Sequence, residues 1–317
     1  MGRKSERGDA WTVAREAAGI RLDKFLAADE RLGSRARAAA AIQRGKVFLN
    51  DREAAQQDAA VKLTEGDRVR VWIDRPGTSK SGFRPRKAGA LEILYEDSAL
   101  LVINKPAGLL AVPLPRKDEP SVYDQVEHHL RPRGKRRPLV VHRIDRDTSG
   151  LVVFAKNAAA QERLKAQFRR REPERVYLAV VYGHPDPETG RWSDRLFWDR
   201  ESLIQKQTYT SDPRGKDAIS DYRVVDRFDG ASLIEVRLVT GKRNQIRLQS
   251  RLRGHTLVGE QRYIYGPAEI RPIDFPRQAL HAWKLGFRHP DDERELRFEA
   301  PLPDDMEALI RRLRRQI

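Results

Sequence analysis

The feature that most constrains this chain is the stretch from Arg143 to Ala155. A charged loop, Arg143-Ile144-Asp145-Arg146-Asp147-Thr148-Ser149-Gly150, runs without a break into Leu151-Val152-Val153-Phe154-Ala155. Five consecutive apolar residues rich in β-branched and aromatic types read as a buried strand. The fold must therefore bury a strand while holding two arginines, two aspartates and two hydroxyls at its entrance. A purely structural loop needs turn formers, and Gly150 suits that exit, but alternating Arg and Asp are not required for it. The plain alternative is a salt-bridged turn.

From Ala90 onward the pattern is β-rich. Strands are predicted over 91–95, 100–104, 151–155, 176–182, 220–225, 232–239 and 295–298, and helices over 122–130, 158–171, 244–253 and 305–315. This interleaving implies an α+β domain on a largely antiparallel mixed sheet with flanking helices. Ahead of it lies a smaller module. Leu22, Phe25 and Leu26 share a helical face, Ser34 is placed to cap a helix over 35–44, and Gly45 to end it. Strands follow at 47–49 and 69–73. The expected organisation is a polar, weakly ordered tail at 1–19, the small module at 20–74, a basic linker at 75–89 rich in Pro, Gly and Ser, and the large domain at 90–317.

Charge narrows the partners. The 317 residues carry 62 Lys and Arg against 46 Asp and Glu, a net charge of +16, which favours a polyanion. No apolar run is long enough to span a membrane, no secretory signal opens the chain, and no basic amphipathic helix carries aromatics for lying on a bilayer. Nucleic acid, a cytoplasmic location and a monomer are the expectations. With no cysteine, and seven histidines that form no H-E-x-x-H pattern, neither a disulfide nor a metal site is expected.

Several stretches together resemble the RluA/RsuA-type pseudouridine synthases. Their signature loop is a His-Arg-aliphatic-Asp run followed by Thr-Ser-Gly, here His142 to Gly150. The strand Arg175-Val176-Tyr177-Leu178-Ala179 resembles their basic-x-Tyr-x-Ala segment, and Thr240-Gly241-Lys242-Arg243-Asn244-Gln245-Ile246-Arg247 resembles their third motif. Asn104-Lys105-Pro106-Ala107-Gly108 resembles their early Lys-Pro-x-Gly element, and matches run from about residue 20 to 303. The 20–74 module is similar to an S4 RNA-binding domain, at Arg21–Leu26, Gly45–Asn50 and Glu65–Asp67.

The resemblance implies a cofactor-independent RNA isomerase, with ribosomal RNA favoured over transfer RNA and no DNA. It assigns Asp145 as catalytic nucleophile or base, Tyr177 as the ring against the target base, and Arg247 as the partner of the aspartate. Contacts to RNA are expected from Arg143, Arg146, Thr148, Lys105 and Arg175, and in the small module from Arg37, Arg44 and Lys46. The chain departs from the third motif at Lys242, Arg243, Asn244 and Gln249, where arginine, threonine and two histidines are usual, and at Glu260, where aspartate is usual. Asp147 is expected to cap amides near Thr148. An inactive RNA-binding protein that retains both modules is the alternative. A retaining carbohydrate hydrolase fits poorly, because neutral sugars gain nothing from the net charge.

Overall fold

The computed structural model describes residues 9–43, 45–50, 52–54, 56–71, 91–113, 120–131, 137–199, 204–263 and 273–315. The chain divides into two compact units, Met1–Gly82 and Phe83–Ile317. The expected linker at 75–89, residue Arg44, and Trp72 and Ile73 of a predicted strand lie outside the described residues.

The first unit contains β1 (Asp9–Thr12), α1 (Leu22–Leu26), α2 (Arg35–Gln43), β2 (Val47–Leu49), β3 (Arg52–Glu53) and β4 (Arg68–Val71), with sheet order β1-β4-β2-β3. Leu22, Phe25 and Leu26 are buried together with Ala38, Ala41 and Ile42, which fixes the two helices against the sheet. The Arg37 amide donates to Ser34 Oγ at 3.2 Å, so Ser34 caps α2. The expected weakly ordered tail is corrected from residue 9 onward. Asp9–Thr12 pair antiparallel with Arg68–Val71, and Val13 is buried in the core. Two apolar side chains in a charged setting, Trp11 and Val13, suffice as anchors once an open strand edge supplies hydrogen bonds.

The second unit follows with β5 (Ile93–Glu96), β6 (Leu100–Lys105), α3 (Val122–Leu130), β7 (Leu139–Val140), β8 (Ser149–Ala155) and α4 (Ala158–Arg170). Then come β9 (Glu174–Tyr182), β10 (Thr189–Asp199), β11 (Ile204–Thr208), β12 (Lys216–Phe228) and β13 (Ala231–Leu238). It closes with α5 (Gln245–Leu252), β14 (Leu280–Arg288), β15 (Glu295–Glu299) and α6 (Asp304–Arg314). The sheet runs β11-β10-β12-β13-β9-β14-β8-β6-β5, with β15 on β14 and β7 on β8. This is the predicted α+β class. All pairings are antiparallel except β14 with β8, which pairs only His281 with Ser149 and Ala282 with Gly150. Two antiparallel halves thus meet across a short parallel seam, and the charged loop enters the sheet there.

The predicted helices lie within a residue of the observed ones, for local reasons. Ser121 and Asp124 form a reciprocal capping box on α3, and Asn157 caps α4. The long strand β10 escapes prediction because its inward face carries Asp194 between Trp192 and Leu196. That carboxylate is buried because Gln249 Nε2 and Arg253 Nη1 donate to it at 2.8 and 2.6 Å.

Gly150 sits at φ +108°, and a Cβ there would lie 2.2 Å from the Ala282 carbonyl oxygen. Gly150→Ala should therefore open the parallel seam, costing about 2–5 kcal/mol from overpacking and a disfavoured φ together. A lowered midpoint in thermal or urea unfolding checks this; an unchanged midpoint would mean that the strands part without cost.

Candidate active site

Two buried cations hold the charged loop from beneath. Lys105 is fully buried, and its ammonium donates to the carbonyls of Pro106, Leu109 and Arg146 at 2.8, 2.8 and 2.7 Å. Arg277, 1% exposed, donates through Nη1 to the Asp147 carbonyl at 3.0 Å while its Nε and Nη2 bind Asp305. Burial pushes the Lys105 ammonium down to about 7, with the negative charges of Asp147 and Asp145 acting against it. His142, at the head of the loop, stacks on Phe168 at 4.7 Å and accepts the Val153 amide; burial drives its ring down to about 3, so it stays neutral. The loop backbone is thus committed to scaffold, and its side chains Arg143, Asp145 and Arg146 reach the surface.

Asp145 meets α5 at this point. Its Oδ2 accepts from Arg247 Nη1 at 3.1 Å and from Asn244 Nδ2 at 2.5 Å. Arg247 gives the rest of its fork to Glu260, Nε to Oε2 at 2.7 Å and Nη2 to Oε1 at 2.6 Å. Glu260 has no exposed side-chain area and also accepts the amides of Arg262 and Tyr263. Burial alone would push this carboxyl up, but the Arg247 charge and hydrogen bonds hold it below its usual range. Burial likewise would lower the guanidinium, and Glu260 first, then Asp145, keep it above its ordinary value. The Tyr263 ring lies 5.5 Å from the guanidinium, and its hydroxyl donates to Asn244 Oδ1 at 3.1 Å.

These groups border a cavity of about 240 Å³, whose wall includes Arg143, Asp145, Tyr177, Arg243, Asn244 and Arg247. Tyr177 stands on β9, its pKa raised by burial, and its hydroxyl has no hydrogen-bond partner among the described residues. At the mouth Arg143 is exposed, and Arg243 lies over the Trp198 ring at 3.9 Å. Asp145 is the one carboxylate among the described residues that line the cavity. Among the described residues no cluster of His, Asp or Glu could hold a metal ion.

Four expectations are corrected. Lys105 is itself fully buried, and its three N–H groups are spent on backbone carbonyls, so it is scaffold rather than an RNA contact. Thr148 is 1% exposed and its hydroxyl accepts from Gln278 Nε2 at 3.3 Å, which makes it part of the wall. Arg175 turns toward the carbonyls of Leu238 and Val239 at 3.5 and 3.4 Å, bracing the start of the third motif. The Asp147 carboxylate caps no amide among the described residues. In the first unit Arg37 is exposed and Lys46 half-buried, and Arg44 lies outside the described residues.

Sequence reasoning missed Arg277 and Tyr263 and did not connect Glu260 to Arg247. Only Glu260 carried a signal, as an acid where the resemblance puts aspartate. The third-motif glutamines are structural: Gln245 Nε2 donates to the Ile219 carbonyl at 3.0 Å, and Gln249 Nε2 donates to the Ala218 carbonyl at 2.9 Å, fastening α5 to β12.

Residues 99–251 match the family model described as RNA pseudouridylate synthase. The chain is 37% identical over 308 residues to the uncharacterised RNA pseudouridine synthase YlyB of Bacillus subtilis, covering 96% of this chain and 97% of that one. It is also 37% identical over 316 residues to the ribosomal large subunit pseudouridine synthase D of Zymomonas mobilis, covering 95% and 96%. In fold it is similar to human RNA pseudouridylate synthase domain containing 4, with a TM-score of 0.58 at 21% identity over 70% of this chain and 93% of that one.

Glu260→Gln leaves Arg247 with Asp145 alone. Breaking a buried pair costs up to about 3–5 kcal/mol, so urea unfolding at pH 7 should show a loss of that order. Because the folded-state pKa of Glu260 is lowered, its contribution is present above its ordinary value of 4.5 and lost as pH falls below it. Stability of the wild type should therefore fall more steeply below pH 4.5 than that of the variant; parallel acid limbs would contradict the assignment.

Proposed function

The chain belongs to the RNA pseudouridylate synthase family, and we propose that it isomerises uridine in large-subunit ribosomal RNA, with Asp145 as its catalytic carboxylate. The family supports the isomerase activity and an RNA substrate. The choice of RNA follows the name of the Zymomonas relative. The observation that carries the catalytic assignment is the state of Asp145. It is 24% exposed on its side chain, faces the cavity, and is tied at one oxygen to a buried arginine that a second carboxylate already compensates.

The reaction breaks the N1–C1′ bond, turns the uracil and joins C5 to C1′. The C5 proton leaves and N1 gains one, so the formula is unchanged and no electrons are exchanged. A carboxylate can serve by adding covalently to sugar or base, or by taking a proton from the sugar. Arg247 holds and aims Asp145 through one oxygen, and burial of the Arg247–Glu260 pair keeps that support out of competition with water. Tyr177 offers a flat face for a uracil removed from its stack. Arg143 and Arg243 at the mouth suit the phosphates on either side of the flipped nucleotide. A carbohydrate hydrolase would need a second carboxyl facing the bond, and Glu260 is sealed behind Arg247.

The unit within Met1–Gly82 is proposed as an S4-like RNA-binding module. Exposed Arg37 on α2 supports this, as it leaves a cation on the flank of the helix beside the buried Ala38, Ala41 and Ile42.

Asp145→Asn keeps size and most hydrogen bonding but removes the charge. Single-turnover conversion should fall by at least roughly 10²–10⁴-fold, with RNA affinity retained because affinity comes from phosphate contacts. Appreciable turnover by this variant would remove Asp145 from its role. Arg143→Ala should instead weaken binding on all sequences and reduce the slope of log affinity against log salt by about 1. An unchanged slope would mean Arg143 meets no phosphate.

A further inference from the structure

We infer that Asn244 is a positioning residue, which with Arg247 ties down Oδ2 of Asp145 and so makes Oδ1 the oxygen presented to the substrate. This rests on Asp145 being the catalytic carboxylate. The two hydrogen bonds that Asp145 receives from protein side chains both fall on Oδ2, from Asn244 Nδ2 at 2.5 Å and Arg247 Nη1 at 3.1 Å. Oδ1 receives none among the described residues and keeps its lone pairs for the cavity.

A side-chain amide can present either end, so the direction of the Asn244 carboxamide needs a cause. It is a chain of obligatory donors. The backbone N–H of Gln205 can only donate, and it gives its proton to the Tyr263 hydroxyl at 2.9 Å. The Tyr263 proton then goes to Asn244 Oδ1 at 3.1 Å, and the Nδ2 end is left facing Asp145. Tyr263 is 1% exposed and Asn244 9%, so water does not scramble this order.

Asn244 also gives up its customary work. It stands at the N-cap of α5, where asparagine usually accepts a helix amide, yet its side chain makes no cap bond. Its backbone sits at φ 52°, a left-handed conformation that asparagine tolerates better than most residues. Histidine is usual here in the resembling family, and it too can offer an N–H. The position therefore asks for a donor at the carboxylate rather than for one residue type.

The test measures release of tritium from 5-tritiated uridine in transcribed large-subunit ribosomal RNA, at saturating enzyme in a single turnover across a pH series. Asn244→Ala should lower the rate roughly ten- to a hundredfold, the range of one hydrogen bond to a charged group, with RNA affinity within about twofold. Asn244→His should restore the rate to within a few-fold. Asn244→Asp is the decisive variant. At low pH the introduced acid carries a proton and can donate as the amide does; as pH rises it ionises beside Asp145 and the donor becomes a like charge. Its profile should carry a descending limb with rising pH that the wild type lacks. Because both ends of that profile are read on one protein, a general folding defect cannot imitate it. A profile parallel to that of the wild type, or an Asn244→Ala rate equal to it, would overturn the inference. Asp145→Asn runs alongside. If it stays active, the catalytic assignment itself fails; if it is silent while the Asn244 variants match the wild type, only the positioning role fails.

Discussion

A guanidinium cannot leave water without carboxylates to receive it, and the site is organised around that constraint at Arg247. Its five donors point into a region with almost no exposed area. Two of its hydrogen bonds go to Glu260, which also accepts the amides of Arg262 and Tyr263. The third goes to Asp145. Were Asp145 the sole partner, the arginine would be undercompensated and the carboxylate wholly consumed by it. With Glu260 present, the pair is satisfied internally and Asp145 is held through one oxygen while the rest of it faces the cavity. The hidden carboxylate thus leaves the visible one with an oxygen that no side chain among the described residues claims.

The same logic governs the loop beneath. Lys105 and Arg277 are buried cations whose donors collect peptide carbonyls, including those of Arg146 and Asp147. Backbone oxygens that would otherwise need water are satisfied from inside, so successive side chains can be charged and outward-facing without loosening the turn. Gly150 completes the arrangement by letting β8 approach Ala282 more closely than any Cβ would allow. The short parallel seam, the buried cations and the glycine together set where Asp145 stands relative to α5.

Helix ends and the continuous apolar strands were readable because their causes are local: Ser121 with Asp124, Asn157 at a cap, and the run from Leu151 to Ala155. Asp145, Tyr177 and Arg247 were recognisable as a set through motif resemblance, and one cavity contains all three. What was not readable depends on partners far away in sequence. Lys105 reads as an RNA-facing cation until the carbonyl of Arg146 is brought to it. Asp194 makes β10 look unlike a buried strand until Gln249 and Arg253 arrive. Asn244 reads as a departure from a motif, and its relation to Asp145 appears only when the direction of its carboxamide is known, which Tyr263 determines.

Tyr263 has one more consequence, at the rim of the sheet. Strand β11 ends the strand order, and an end strand leaves a row of unused peptide groups that can recruit another chain's strand. The amide of Gln205 lies on that strand and is occupied by the Tyr263 hydroxyl. A foreign strand seeking to add there meets a donor already taken and a buried ring in its way. The hydroxyl that faces the Asn244 carboxamide at the cavity therefore also occupies a peptide donor on the end strand, so one side chain serves both the cavity wall and the sheet edge.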